Sequence, residues 1–139
     1  MELTLREIVS AGEAIGKMAQ KKNLKPKVFY WLTVTQRKLQ NSLDAFQQSR
    51  MMTLYKYANP VEKTDNFEFK DKEARKKFNE EMDEFMKQTE SHEINNILFS
   101  VLYCDPSLEL TPALVTMLGP LIVMDDLPDG EKAGLNEPK

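Results

Sequence analysis

Reactive side chains are scarce in this chain. Its 139 residues include one His, one Cys and five Gly. Cys104 has no partner, so an internally stapled, disulfide-dense fold is excluded. The run His92-Glu93-Ile94-Asn95-Asn96 opens like the zinc-protease helix motif. That motif needs a second His four residues after the first, so that both imidazoles share a face, and Asn96 stands there. Cys104 could act as a nucleophile only beside a base, and His92 supplies the sole imidazole. On an extended segment the two would lie about 40 Å apart, so the thiol reads as a buried structural group. No Gly-rich loop is present to cradle phosphate. Asp125, Asp126 and Asp129 offer oxygen ligands without the spacing or terminal Glu of a calcium loop, and read as a solvated acidic tail. No catalytic residue, cofactor site or metal site is expected.

Long apolar runs are also missing. No stretch approaches the ~18 apolar residues that span a bilayer. The opening residues Glu2 to Glu7 carry acids where a signal peptide needs an apolar segment. The expectation is a cytoplasmic protein that meets no membrane. What is present is 41% hydrophobic and 29% charged residues, enough for one domain around a modest core. Charge is uneven. Residues 1–57 hold ten Lys/Arg against four Asp/Glu, and residues 58–139 hold nine against eighteen. Because the basic residues are spaced through helical segments, the asymmetry reads first as two halves that attract one another.

Thr4-Leu5-Arg6-Glu7 is a capping box that opens a first helix, with Leu5, Ile8, Val9, Ile15 and Met18 at helical spacing. Gly12 and Gly16 lie on or near this stripe and predict close passage of another helix. Asn23 reads as the stop. Pro26 suits the first turn of a second helix that runs to Tyr57, with Phe29, Leu32, Leu39, Leu43, Phe46, Leu54 and Tyr57 as its apolar face. Gln36 and Arg50 fall on the same face. A helix of that length measures ~48 Å, so it either breaks near Asn41-Ser42 or Ser49, or projects.

Asn59-Pro60 ends it and residues 59–66 read as loop. Residues 66–69 alternate as a short strand, and Asp71 opens a third helix to about Glu90. His92 to Tyr103 alternates and is read as a strand. Thr111-Pro112 starts a short helix stopped by Gly119-Pro120. The expected fold is mainly α: a long antiparallel helical hairpin, a third helix packed across it, a short two-stranded element and a short C-terminal helix. Residues 1–124 form the domain, and 125–139 a flexible acidic tail.

Two surfaces remain for function. Lys21, Lys22, Lys25 and Lys27 surround the first interhelical turn, with Tyr30 and Trp31 just after. Basic groups neutralise phosphates and aromatics stack on bases. A sequence pI of about 5.3 speaks against a dedicated nucleic-acid binder. The other surface is apolar. Eight Met are available, and Tyr30, Trp31, Met51, Met52 and Tyr55 place apolar groups beside the helix stripe as well as on it. A helix apolar on more than one side asks for a partner protein or a second copy.

The features run from a Lys-rich turn at residues 20–27, through a Leu/Phe helix ending Arg50-Met51-Met52-Thr53-Leu54-Tyr55-Lys56-Tyr57, to Asn66-Phe67-Glu68-Phe69-Lys70-Asp71, an acidic helix and Leu110-Thr111-Pro112. This order resembles a group of small tailed-phage proteins of unassigned function. The resemblance covers residues 3 to 124 and brings no catalytic residue with it. It implies a phage origin, with action in the host cytoplasm or the virion. A non-enzymatic interaction protein, serving as assembly part or oligomeric adaptor, is the first expectation. An inhibitor of a host enzyme or defence system, using the acidic second half as a nucleic-acid mimic, is the second. Nucleic-acid binding through the Lys17–Lys27 turn is the third.

Overall fold

A computed structural model describes residues 1–125. The fold is mainly α with minor β. Helices α1 (Leu5–Ala19), α2 (Pro26–Tyr57), α3 (Lys72–Met86), α4 (Phe99–Tyr103) and α5 (Pro112–Leu118) are joined by six short strands. These are β1 (Glu2–Thr4), β2 (Ala58–Pro60), β3 (Phe67–Phe69), β4 (Thr89–Ser91), β5 (Ile97–Leu98) and β6 (Ile122–Val123).

The capping box forms as read. Thr4 Oγ1 accepts from the Glu7 amide at 3.1 Å, and the Thr4 amide donates to Glu7 Oε1 at 2.8 Å. Helix α1 buries Leu5, Ile8, Ala11, Ala14, Ile15 and Met18. The full burial of a side chain such as Ile8, Ile15 or Met18 contributes about 1.5–3 kcal/mol. Asn23 sits in the turn with φ of 65°, a conformation its short polar side chain tolerates. At Gly12 a Cβ would lie 2.8 Å from Leu43 Cδ1, so α1 and α2 do pass closely there. Gly16 has nothing within 4 Å of its would-be Cβ, and the expected close approach at that residue is absent.

Helix α2 runs unbroken for 32 residues. The helix does not break at Asn41-Ser42 or Ser49: Ser42 bonds outward to Glu90, and the Ser49 carbonyl accepts from Thr53 Oγ1. The inward face at its start differs from the sequence reading. Phe29 is 48% exposed, while Val28 and Trp31 are buried. One stripe, Val28-Trp31-Leu32-Thr35-Leu39, faces the main core with α1, α5 and residues 94–121. Farther along, Leu54 joins Ala58 and Phe78 in a smaller distal core flanked by Met51, Tyr57, Phe67, Phe69 and Met82. The length of α2 therefore links two cores.

Helix α3, capped by Asp71 on the Ala74 amide, packs against the second half of α2. Phe78 fills the distal core, and Phe85 reaches the main core with its ring 6.0 Å from Phe46. It stops at Met86, short of Glu90, because Thr89–Ser91 pairs antiparallel with β1. The single two-stranded element expected becomes three among the described residues. β2 and β3 form an antiparallel hairpin, so the supposed loop begins with a strand. β5 pairs in parallel with β6. The strand expected over His92–Tyr103 survives only at Ile97–Leu98; beyond it the chain turns helical, and Phe99 stacks on Tyr103 one turn later at 5.6 Å. Asp125 is not frayed: it accepts from the Ser100 amide at 2.8 Å and from Ser100 Oγ at 2.6 Å. The rest of the expected acidic tail lies outside the described residues.

Candidate interaction surface at the distal end of the long helix

His92 meets a carboxylate and a hydroxyl but not Cys104. His92 Nε2 meets Glu90 Oε2 at 3.1 Å and Ser42 Oγ at 3.4 Å, while Ser42 Oγ donates to Glu90 Oε2 at 2.5 Å. A hydrolytic triad places the acid on one imidazole nitrogen and the hydroxyl on the other. Here both crowd the same nitrogen, and the hydroxyl is spent on the acid. The cluster fastens β4 to α2. Hydrogen bonding from Ser42, then from His92, holds the Glu90 carboxyl below the usual carboxylate range. Cys104 sits elsewhere. Its carbonyl accepts from Lys25 Nζ, and Lys25, which caps the start of α2, lies seventeen residues before Ser42, about 25 Å along the helix. Ser100 likewise depresses the Asp125 carboxyl. Among the described residues no group of three or more His, Cys, Asp or Glu is placed to hold a metal ion. No helix among them is long and apolar enough to cross a membrane.

The basic turn is partly consumed by the fold. Lys21 pairs with Glu109 at 3.1 Å. The Lys25 amide donates to the buried carboxylate of Asp105 at 2.8 Å, and Asp105 also caps the turn at Ser107. Lys22 and Lys27 remain exposed and make no ion pair among the described residues. Tyr30 and Trp31 part company. Trp31 is buried and donates its indole N–H to the Asn95 carbonyl at 2.8 Å, so it is a core residue. Tyr30 is 71% exposed on the rim of a shallow groove that Trp31 lines from within.

At the other end of α2 lie three of the five expected residues, Met51, Met52 and Tyr55. Gln47, Gln48, Met51, Met52 and Tyr55 line one uncharged strip about two turns long. Met52 is 73% and Tyr55 56% exposed, while Met51 is half-buried against the distal core. Tyr30 lies more than twenty residues back along the helix, over 30 Å away, and belongs to a separate surface.

Beside the strip, α2, the β2–β3 hairpin and α3 enclose an open cleft of about 670 Å³. Its floor includes Phe67, Phe69 and Phe78, and its rim carries Arg50, Arg75, Asn66 and Asn79. The Arg75 guanidinium lies over the Phe69 ring at 6.0 Å. Tyr55 meets Phe67 edge-on at 5.3 Å. Among the described residues neither arginine makes an ion pair, although Asp65 stands on the same rim. Arg50 had one sequence signal, its place on an apolar stripe. Arg75 and the two Asn had none, because only the hairpin and α3 together bring them there. On the outer side of α3, Glu81 accepts from the Tyr57 hydroxyl and pairs with Lys56. That bond raises the Tyr57 phenol above its usual value and lowers the Glu81 carboxyl.

Comparison with protein-family models, with curated proteins and with solved structures gives no match. The phage resemblance therefore rests on the order of turn, cap and stripe residues alone.

Proposed function

We propose that this is a non-enzymatic protein-interaction protein of phage type, an oligomeric adaptor or assembly part, whose distal α2 strip meets a second copy of itself. The observation that carries the reading is the exposure of Met52 and Tyr55 on a strip with no charge. A twofold interface sets the same residues against themselves. A charged strip would repel its copy, whereas Gln, Met and Tyr can cross it freely. Two turns of helix bury less than the ~1,200–2,000 Å² of a stable interface, so the association is weak and concentration-dependent. Light scattering over a concentration series tests it. The native chain is expected to gain mass with concentration, M52E to stay monomeric, and Y30E to behave as native. A monomer at every concentration would remove the reading.

The alternatives rank lower on specific contacts. An inhibitor that presents the acidic half would use Glu80, Glu81, Asp83 and Glu84, but Glu81 is held by Tyr57 and Lys56, and Asp83 faces Arg6 at 3.5 Å. A nucleic-acid binder would use Lys21, Lys22, Lys25 and Lys27, of which Lys21 and Lys25 already serve Glu109 and the Cys104 carbonyl, leaving Lys22 and Lys27.

A further inference from the structure

The cleft beside the strip has a chemistry of its own. We infer that it binds an acidic peptide segment of a partner protein, one that carries a carboxylate next to a bulky apolar side chain. This rests on reading the distal end of α2 as an interaction surface. The inference begins from charge. Arg50 and Arg75 face a common cavity, and among the described residues neither is paired with a carboxylate. Guanidinium groups recognise carboxylates through paired N–H donors, and such bonds are about twice as strong as neutral ones. The floor supplies the second half of the recognition. Phe67 and Phe69 line the cleft beside the guanidiniums, with Arg75 over the Phe69 ring at 6.0 Å, and ~670 Å³ lies within the range of small-ligand pockets.

Asn66 and Asn79 suit a peptide ligand. Side-chain amides donate and accept together, which matches a peptide backbone with its alternating N–H and C=O groups. A nucleic-acid strand fits less well. Its charge recurs at every residue, and Asp65 on the rim repels a second phosphate. A single anionic side chain at the guanidiniums sets only one charge near Asp65, where a strand would set several.

The site differs from the self-association strip in the residue that matters most. Met52 lines the strip and not the cleft, while both arginines line the cleft and not the strip. Gln47, Met51 and Tyr55 line both, so the two surfaces adjoin along one edge, and Met52 and the arginines are the residues that tell them apart.

The test is a nuclear magnetic resonance titration of the full chain. The probe is a pool of four blocked peptides pairing Asp or Glu with Phe or Leu, set against the same pool with Asn and Gln in place of the acids. Saturable shifts are expected at the backbone amides of Arg50, Asn66, Arg75 and Asn79, with the uncharged pool at least about tenfold weaker. R50Q/R75Q is expected to lose the same factor while keeping its far-ultraviolet circular dichroism, and M52E to bind as native. If R50Q/R75Q fails to fold, the comparison of the two pools on the native chain still decides. No localised shift at millimolar peptide, equal binding of both pools, or preferential binding of an oligothymidylate would each overturn the inference. Because M52E is read by light scattering and the cleft by titration, failure here leaves self-association standing, and the reverse also holds.

Discussion

Replacing Gly12 and Gly16 by Ala, one at a time, tests how α1 sits on α2. Both lie in the same helix, and Ala is favoured over Gly in a helix interior by about 0.8–1.0 kcal/mol. At Gly16 an added Cβ meets nothing within 4 Å, so most of that gain is expected, about 0.5–1 kcal/mol. At Gly12 the same atom would lie 2.8 Å from Leu43 Cδ1 and 3.0 Å from Cδ2. Carbon atoms pack at roughly 3.5–4.0 Å, so Leu43 must swing aside or the helices must part. Overpacking of this kind costs about 1–3 kcal/mol. The propensity gain offsets part of it, which leaves G12A between neutral and about 2 kcal/mol less stable than native. Leu43 is the cause, so L43A removes the conflict, and in that background G12A is expected to stabilise by about 0.5–1 kcal/mol. Urea unfolding followed by circular dichroism measures all four corners of the cycle. If G12A stabilises the native chain as much as G16A does, or if the cycle shows no coupling, the close crossing at Gly12 is wrong.

Three further outcomes follow from single contacts. D105A leaves the Lys25 and Ser107 amides without their acceptor beneath a buried side chain, and chemical denaturation should show a loss of about 2–4 kcal/mol. W31F deletes the indole bond to Asn95 and is expected to cost about 1–2 kcal/mol, whereas Y30A, on an exposed ring, should stay within ~0.5 kcal/mol of native. Glu90 has a folded-state pKa below its unfolded value, so its contribution is present above the unfolded carboxylate range and is lost as pH falls through the folded value. The melting-temperature gap between native and E90Q should accordingly be widest near neutral pH and close in acid; a gap that widens in acid would reverse the assignment.

Much of the helical frame was legible. Pro26 and Asn59-Pro60 bracket α2 because proline cannot donate within a helix and restricts the residue before it. Thr4, Asp71 and Thr111 each cap the helix they were read to open. The face of α2 was less legible. Residues 28–32 are apolar or aromatic nearly all round, and which side turns inward depends on the Asn95 carbonyl, brought from the other half of the chain to meet Trp31. Strands of two or three residues carry too few alternations to be seen, so β1, β2, β4 and β6 passed unnoticed, and Phe99–Tyr103 alternated like a strand while stacking like a helix. Of the candidate surface, Met52 and Tyr55 stood out by lying off the core stripe. The cleft did not, because its arginines come from helices separated by a hairpin.

The most direct test places a photoreactive amino acid at position 52 and irradiates the chain at tens of micromolar. A covalent self-adduct is expected, with its crosslinked peptides drawn from residues 47–55 of the second copy, and the same group at position 30 should give none. A residue-52 probe that yields only monomer, or that links to a surface outside 47–55, would contradict a working surface at the distal end of α2.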